Sequence, residues 1–226
     1  MQSHLHLTHE FEFSLPERFD ADPRTPESYV EHFLSEFTAP GDTVLDPFAG
    51  FGTTLRVAER MGREAYGIEY DADHLAFARE QVEHPERIVH GDALDADSYV
   101  DLPPTDCCLT SPPYTLEVVE RDPLTNYTEP GEDYEAYLAD LGDVFEHVES
   151  VLRADGHLLV DVANLQFEGA VTTLAWDVAR VVGERFWFEG EVVVTWEAGD
   201  SSAERGEGAY GYGYDHSYCL VFAQEG

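Results

Sequence analysis

Between residues 25 and 165 the apolar positions switch repeatedly between two spacings. Short runs have the period of strands: TVLD (43–46), EAYGIEY (64–70), RIVHGDA (87–93), DCCLT (106–110) and HLLVDVA (157–163). Between them TLRVAERM (54–61), DADHLAFAREQVE (71–83) and the long stretch 133–153 carry apolar residues three and four apart, the spacing of amphipathic helices. Ahead of these, TPESYVEHFLSEFTA (25–39) places Tyr29, Phe33 and Phe37 on one helical face, with Thr25 as a cap, Pro26 at the first helical position and Pro40-Gly41 as the stop. Strand and helix in alternation predict a parallel sheet with crossover helices. Towards the C-terminus EVVVTWE (191–197) and SYCLVFAQ (217–224) flank a Gly/Tyr-rich loop and predict an antiparallel pair closing a mixed sheet. HLHLTHEFEF near the N-terminus alternates like an exposed arm or edge strand. The expectation is an α/β fold, a mixed, mostly parallel sheet with helices on both faces: an arm over residues 1–24, one domain over 25–226, and no internal repeat or linker.

Composition changes this picture in one respect. Hydrophobic residues make up 43% of the 226 and aromatics 12%, enough apolar material for one buried core. Against 47 acids stand 12 cations, all Arg, giving a net charge of −35. Such a surface argues against a polyanionic partner, since phosphate binding rests on Lys and Arg. The acids are interspersed and Lys is absent, however, which reads as a surface adapted to concentrated salt. Near 1 M salt the Debye length is about 3 Å, so long-range repulsion is screened. No run approaches the ~20 apolar residues of a membrane span and no basic, apolar leader is visible, so a cytoplasmic protein is expected. Cys107, Cys108 and Cys219 lack C-x₂-C spacing and read as reduced core thiols, and His4, His6 and His9 read as part of the arm, so no metal site is expected.

Two motifs carry candidate chemistry. DPFAGFGTT (46–54) lies between a strand and a helix; Gly50 and Gly52 let the backbone approach a ligand, and the following helix start offers amide donors. A third glycine of a dinucleotide fingerprint would fall at Leu55, so a nucleoside without a pyrophosphate fits better. Glu69, at the next strand end, is placed to accept from ribose hydroxyls, and Asp92, at the one after, from an adenine amino group. TSPPY (110–114) ends the fourth strand of this alternation. Pro112 and Pro113 force a rigid extended exit that leaves the Ser111 side chain and the Pro112 carbonyl as acceptors, with the Tyr114 ring as a stacking face. Read alone, TSPPY is also an ordinary Pro-Pro loop exit.

Together, and in this order, the two motifs resemble the S-adenosylmethionine-dependent amino-methyltransferases that modify N4 of cytosine or N6 of adenine in DNA, over roughly residues 25–165. The resemblance implies a Rossmann-like class I methyltransferase domain. It implies that S-adenosylmethionine is held by Pro26 on the leading helix, by Asp46, Pro47, Phe48, Gly50, Gly52, Thr53 and Thr54, and by Glu69, Tyr70, Asp92 and Ala93. The target amine would meet Ser111, Pro112, Pro113 and Tyr114. An exocyclic amine is a poor nucleophile because its lone pair is delocalised; acceptors for both of its hydrogens free that pair for in-line displacement, and no cysteine nucleophile is needed. The resemblance links serine at the first position with N4 of cytosine in DNA more than with N6 of adenine, and Tyr114 would stack on an extruded base. The large target-recognition region of the sequence-specific members is missing. That leaves relaxed DNA specificity, recognition through a partner or homodimer, or structured RNA as substrate. Tyr210, Tyr212 and Tyr214 read equally as a stacking loop and as a glycine-rich hairpin tip. A small-molecule methyltransferase and a non-catalytic nucleic-acid-binding subunit are the further alternatives.

Overall fold

A computed structural model describes residues 2–9, 11–19, 24–113, 134–167, 170–197 and 216–224. The predicted alternation is present: β2 (Thr43–Asp46), α2 (Thr53–Arg60), β3 (Glu64–Glu69), α3 (Ala72–Gln81), β4 (Ile88–His90), β5 (Thr105–Thr110), α4 (Tyr134–Val151) and β6 (Leu152–Val162). Before it lie β1 (His4–Thr8) and α1 (Glu27–Phe37). After it come the hairpin β7 (Leu165–Phe167) and β8 (Ala170–Thr172), α5 (Leu174–Val182), β9 (Trp187–Glu197) and β10 (His216–Ala223). The eight-stranded sheet has the order β1-β9-β10-β6-β5-β2-β3-β4. Only β10 runs against its neighbours β6 and β9. The apolar stretch 174–182, which the sequence pattern left unassigned, is helical, and Asn164 Oδ1 accepts from the Ala175 amide (3.0 Å) at its start.

Side-chain alternation along the strands divides the core into two layers. Val44, Cys107, Leu109, Leu159 and Cys219 pack with α1, α2 and α3, including the fully buried Tyr29 and Phe33. Leu45, Cys108, Leu158, Val160 and Leu220 face the other way, under Phe145 of α4 and Val178 of α5. Burying a side chain of this size is worth about 1.5–3 kcal/mol. The three cysteines are buried free thiols; burial pushes Cys107 up to about 12 and raises Cys108 and Cys219 as well, so none acts as a thiolate near neutrality.

Two local expectations are corrected. Thr25 does not cap α1: Pro26 is the flanking residue, with extended backbone (φ −64°, ψ 147°), and the Thr25 hydroxyl donates instead to Asp161 Oδ2 on β6 (3.5 Å). The arm is an exposed edge strand only in β1, which pairs parallel with β9. Residues 11–19 fold back over α2 and α3, because their aromatic and acidic side chains find partners there. Phe19 packs 5.2 Å from Phe51, Phe13 packs 5.7 Å from Phe77, and Glu12 accepts from Arg56 (2.9 Å) and Arg60 (2.6 Å). His4 and His6 both lie beside Thr195 Oγ1, and His9 meets Trp196 edge-on.

The β2–α2 turn depends on left-handed backbone at Gly50 (φ 51°) and Gly52 (φ 79°). A Cβ on Gly52 would also stand 3.1 Å from the Ala78 Cβ of α3. Gly52→Ala is therefore expected to destabilise the fold by about 1–3 kcal/mol, through backbone strain and displacement of α3. Urea unfolding measures this, and an unchanged midpoint would refute it.

Candidate active site

The carboxyl ends of β4, β3, β2, β5 and β6 form one row, at ~4.8 Å per strand about 19 Å long. From β2 the chain connects to β3 and β4 on one side, while β5 and β6 lie on the other, so the row is centred on the point where the strand order reverses. In open α/β sheets that is where ligands bind. The sequence-derived candidates with described positions fall along this row, with Pro26 just before α1.

Asp46 ends β2 and is almost fully buried. Its Oδ1 accepts from Thr110 Oγ1 on β5 (2.6 Å) and from the Phe48 amide (3.1 Å), and Thr54 donates to the same carboxyl. Burial raises its pKa, and these three donors oppose the rise. Asp46, Thr54 and buried Pro47 and Thr53 therefore shape the loop from beneath. The loop in turn is clamped to the end of β3: the Ala49 amide donates to the Ile68 carbonyl (3.0 Å) and the Gly50 amide to Glu69 Oε2 (2.7 Å).

Glu69 Oε1 accepts from the Asp71 amide (2.7 Å), with His74 Nδ1 4.0 Å away. Burial raises the Glu69 pKa, offset by the Asp71 amide and the His74 charge. With one amide on each oxygen, the carboxylate keeps one lone-pair direction per oxygen for a diol. Beside it an open cleft of about 430 Å³ is lined by Tyr70, Asp71, Ala72, His90, Gly91 and Asp92. That volume is in the range of small-ligand sites. Tyr70 is half exposed there; Asp92 Oδ1 accepts from the Leu94 amide (2.9 Å), which leaves Oδ2 for a ligand. Ala93 faces inward and its carbonyl accepts from Tyr99, so only its main-chain amide remains for a ligand. A carboxylate with one amide on each oxygen, next to a cleft with an aromatic wall and a second carboxylate, fits a nucleoside-bearing cofactor.

At the end of β5, Ser111 is half-buried and Pro112 buried. The Pro113 carbonyl accepts from Tyr137 on α4 (2.9 Å), fixing the exit of the turn. Among the described residues none donates to the Ser111 hydroxyl or the Pro112 carbonyl. Tyr114 and Tyr210, Tyr212 and Tyr214 lie outside the described residues.

Asp161 was not singled out by the sequence, where it is one acid among 47. Its setting inside an apolar strand, HLLVDVA, is the signal that could have found it. Val160 pairs with Thr110, so Asp161 stands level with Ser111 on the neighbouring strand. It is 3% exposed and is faced by the hydroxyls of Thr25, Tyr29 and Ser217, joining α1, β6 and β10. Burial pushes it up to about 7, against the pull of the three hydroxyls.

The family model for DNA methylase matches residues 17–80. Two curated relatives each match about a quarter of the chain: the type II methyltransferase M2.DpnII of Streptococcus pneumoniae, 43% identical over 58 residues, and the type II methyltransferase M.BglII of Bacillus subtilis, 42% over 53 residues. These cover 26% and 24% of this chain, and 22% and 15% of the relatives, so the matched segment spans less than a quarter of either relative's length. Among solved structures, TrmN from Thermus thermophilus has a TM-score of 0.62 at 19% identity, covering 90% of this chain and 50% of that one. The glycopeptide N-methyltransferase MtfA complexed with S-adenosyl-L-methionine has 0.55 at 14% identity, covering 88% and 93%. Both likenesses are of fold.

In the unfolded chain Asp161 titrates near 3.8. Its raised folded value makes the proton a stabiliser, fully so below about pH 4, and this contribution is lost as pH rises through 7. Wild type should therefore lose stability relative to Asp161→Asn between pH 5 and pH 8 in urea unfolding. A gap independent of pH would contradict the burial argument.

Proposed function

We propose, from a DNA-methylase-type cofactor segment set in a Rossmann-like class I methyltransferase fold, that this chain methylates an exocyclic amino group of a nucleic acid base, with N4 of cytosine in DNA as the preferred target. S-adenosylmethionine is the expected cofactor of that fold and segment. Glu69 and the Gly50–Gly52 loop would hold its nucleoside, with Tyr70 and Asp92 around the base. Bound there, the cofactor supplies an electrophilic methyl group.

The observation that carries the reading is the turn Ser111-Pro112-Pro113, beside the glycine loop, with two acceptors that no described residue occupies. Ser111 Oγ and the Pro112 carbonyl would each take one hydrogen of the amine. Its lone pair then points out of the ring plane, which costs conjugation but makes the nitrogen nucleophilic. Tyr137 holds the turn rigid through the Pro113 carbonyl, so the two acceptors keep their spacing. The thiols of Cys107 and Cys108 are sequestered in the core and take no part.

The −35 charge supports a salt-adapted surface, so the assay belongs in concentrated KCl. Labelled cofactor is supplied with genomic DNA and, separately, with ribosomal RNA, followed by nucleoside mass spectrometry. Label on N4 of deoxycytidine is the expected result; label on an RNA nucleoside would transfer the proposal to structured RNA, and no labelled base would refute it. Ser111→Ala should slow single-turnover transfer about 10²-fold with cofactor affinity unchanged. Equal rates would remove Ser111 from the chemistry.

A further inference from the structure

Cations are scarce on this chain, and nearly every described one is already engaged. Arg56, Arg60 and Arg185 are paired with carboxylates, while Arg63 and Arg79 donate to main-chain carbonyls. Arg180, on α5, is the exception. It is exposed and has neither an ion pair nor a hydrogen bond among the described residues. The nearby carboxylate of Asp177 accepts from Tyr134 (2.9 Å) and Thr173 (3.1 Å) instead.

One helical turn before Arg180 stands Trp176, 42% exposed although it belongs to a helix that otherwise buries its apolar face. Positions four apart share a helix face, about 6 Å from one another. The Trp176 ring is backed by Tyr218 of β10, 5.1 Å away at 55°, and Tyr218 is braced by His216, whose Nε2 lies 3.0 Å from its hydroxyl. This ledge is at the catalytic edge. Tyr218 pairs with Val162 at the carboxyl end of β6, and β6 borders the strand that ends at Ser111. Two strand spacings, about 10 Å, separate the Tyr218 backbone from the strand that leads into the Ser111 turn.

We propose that Trp176 on its Tyr218 backing is a stacking platform for an unpaired base near the target, and that Arg180 takes a phosphate of the same strand. The substrate reaches the site as a single-stranded or locally opened nucleic acid. An exposed indole offers a sequence-tolerant face to any base, and a guanidinium a helical turn away, held in no ion pair among the described residues, can take a phosphate of the same strand. This rests on the base-methylation reading and adds the form in which the base is presented.

The test uses the full chain in a KCl series, with a short mixed-sequence single-stranded DNA and the matching duplex as fluorescent probes for anisotropy. Expected are tighter binding of the single strand, about 10-fold weaker binding for Trp176→Ala, and for Arg180→Ala a few-fold loss with the salt slope reduced by about one. Trp187→Ala removes a still more exposed indole (62% against 42%) at the opposite edge of the sheet and should change nothing. S-adenosylhomocysteine affinity by calorimetry should be the same in every variant, which shows that each is folded. If wild type binds and methylates nucleic acid while Trp176→Ala and Arg180→Ala bind it equally well, the ledge inference alone is overturned. If wild type binds S-adenosylhomocysteine but neither probe, both readings fall. Self-association of wild type that Trp176→Ala abolishes, seen by sedimentation, would assign the ledge to a second copy and overturn the proposal.

Discussion

A buried carboxylate at the end of β2 determines where everything else at the carboxyl edge stands. Asp46 accepts from Thr110 on β5, from Thr54 on α2 and from the Phe48 amide of the glycine loop. One side chain thus ties together the two strands that diverge at the switch point, and the loop and helix between them. A carboxylate out of water is costly unless its lone pairs are filled, so its donors must be present and correctly placed together. The strand end that presents Ser111 and the loop that presents Gly50 are fixed by the same group. Their relative position therefore does not depend on a ligand.

The acidic surface and the interior cations divide the electrostatic work. Glu12 and Glu27 gather Arg56, and Glu12 and Glu31 gather Arg60, joining the N-terminal segment to α1 and α2. Exposed pairs of this kind are worth little singly, about 0–1 kcal/mol, and salt weakens them further; a partly buried network screened from solvent keeps more of its strength. Arginine suits this use because one planar fork serves two carboxylates at once, as Arg56 does.

The elements most legible in the sequence were those whose period, punctuation and length agreed. TVLD running into PFAGFG marked a strand end and a turn, and DADHL after GIEY marked a strand end and the next helix, which Asp71 caps through the Asp73 and His74 amides. The row of Gly50, Glu69, Asp92 and Ser111 was readable because parallel strands put their carboxyl ends on one edge. What escaped was set by distant partners. Thr25 looks like a cap, but Asp161, 136 positions away, takes its hydroxyl. LAWDVARVV carries a helical period, yet Asn164, ten residues before its start, supplies the donor's partner at its N-terminus. Phe11 and Phe13 alternate like an exposed strand, but Phe13, with Phe19 further along, packs on Phe77 of α3 and holds the segment down.

β1 bears on the order in which the molecule can be assembled. His4 pairs with Val193, the two ends of a loop of nearly the whole chain, whereas β2, β3 and β4 pair within residues 43–90. During synthesis β1 has no partner until residues 187–197 have left the ribosome, and β9 itself leans on β10, which follows it. The half of the sheet built from β2, β3 and β4 can close early on local contacts, while the outer half waits for loop closure of high entropic cost. Until then β1, carrying His4, Leu5, His6 and Leu7, stands unpaired and open to neighbouring chains.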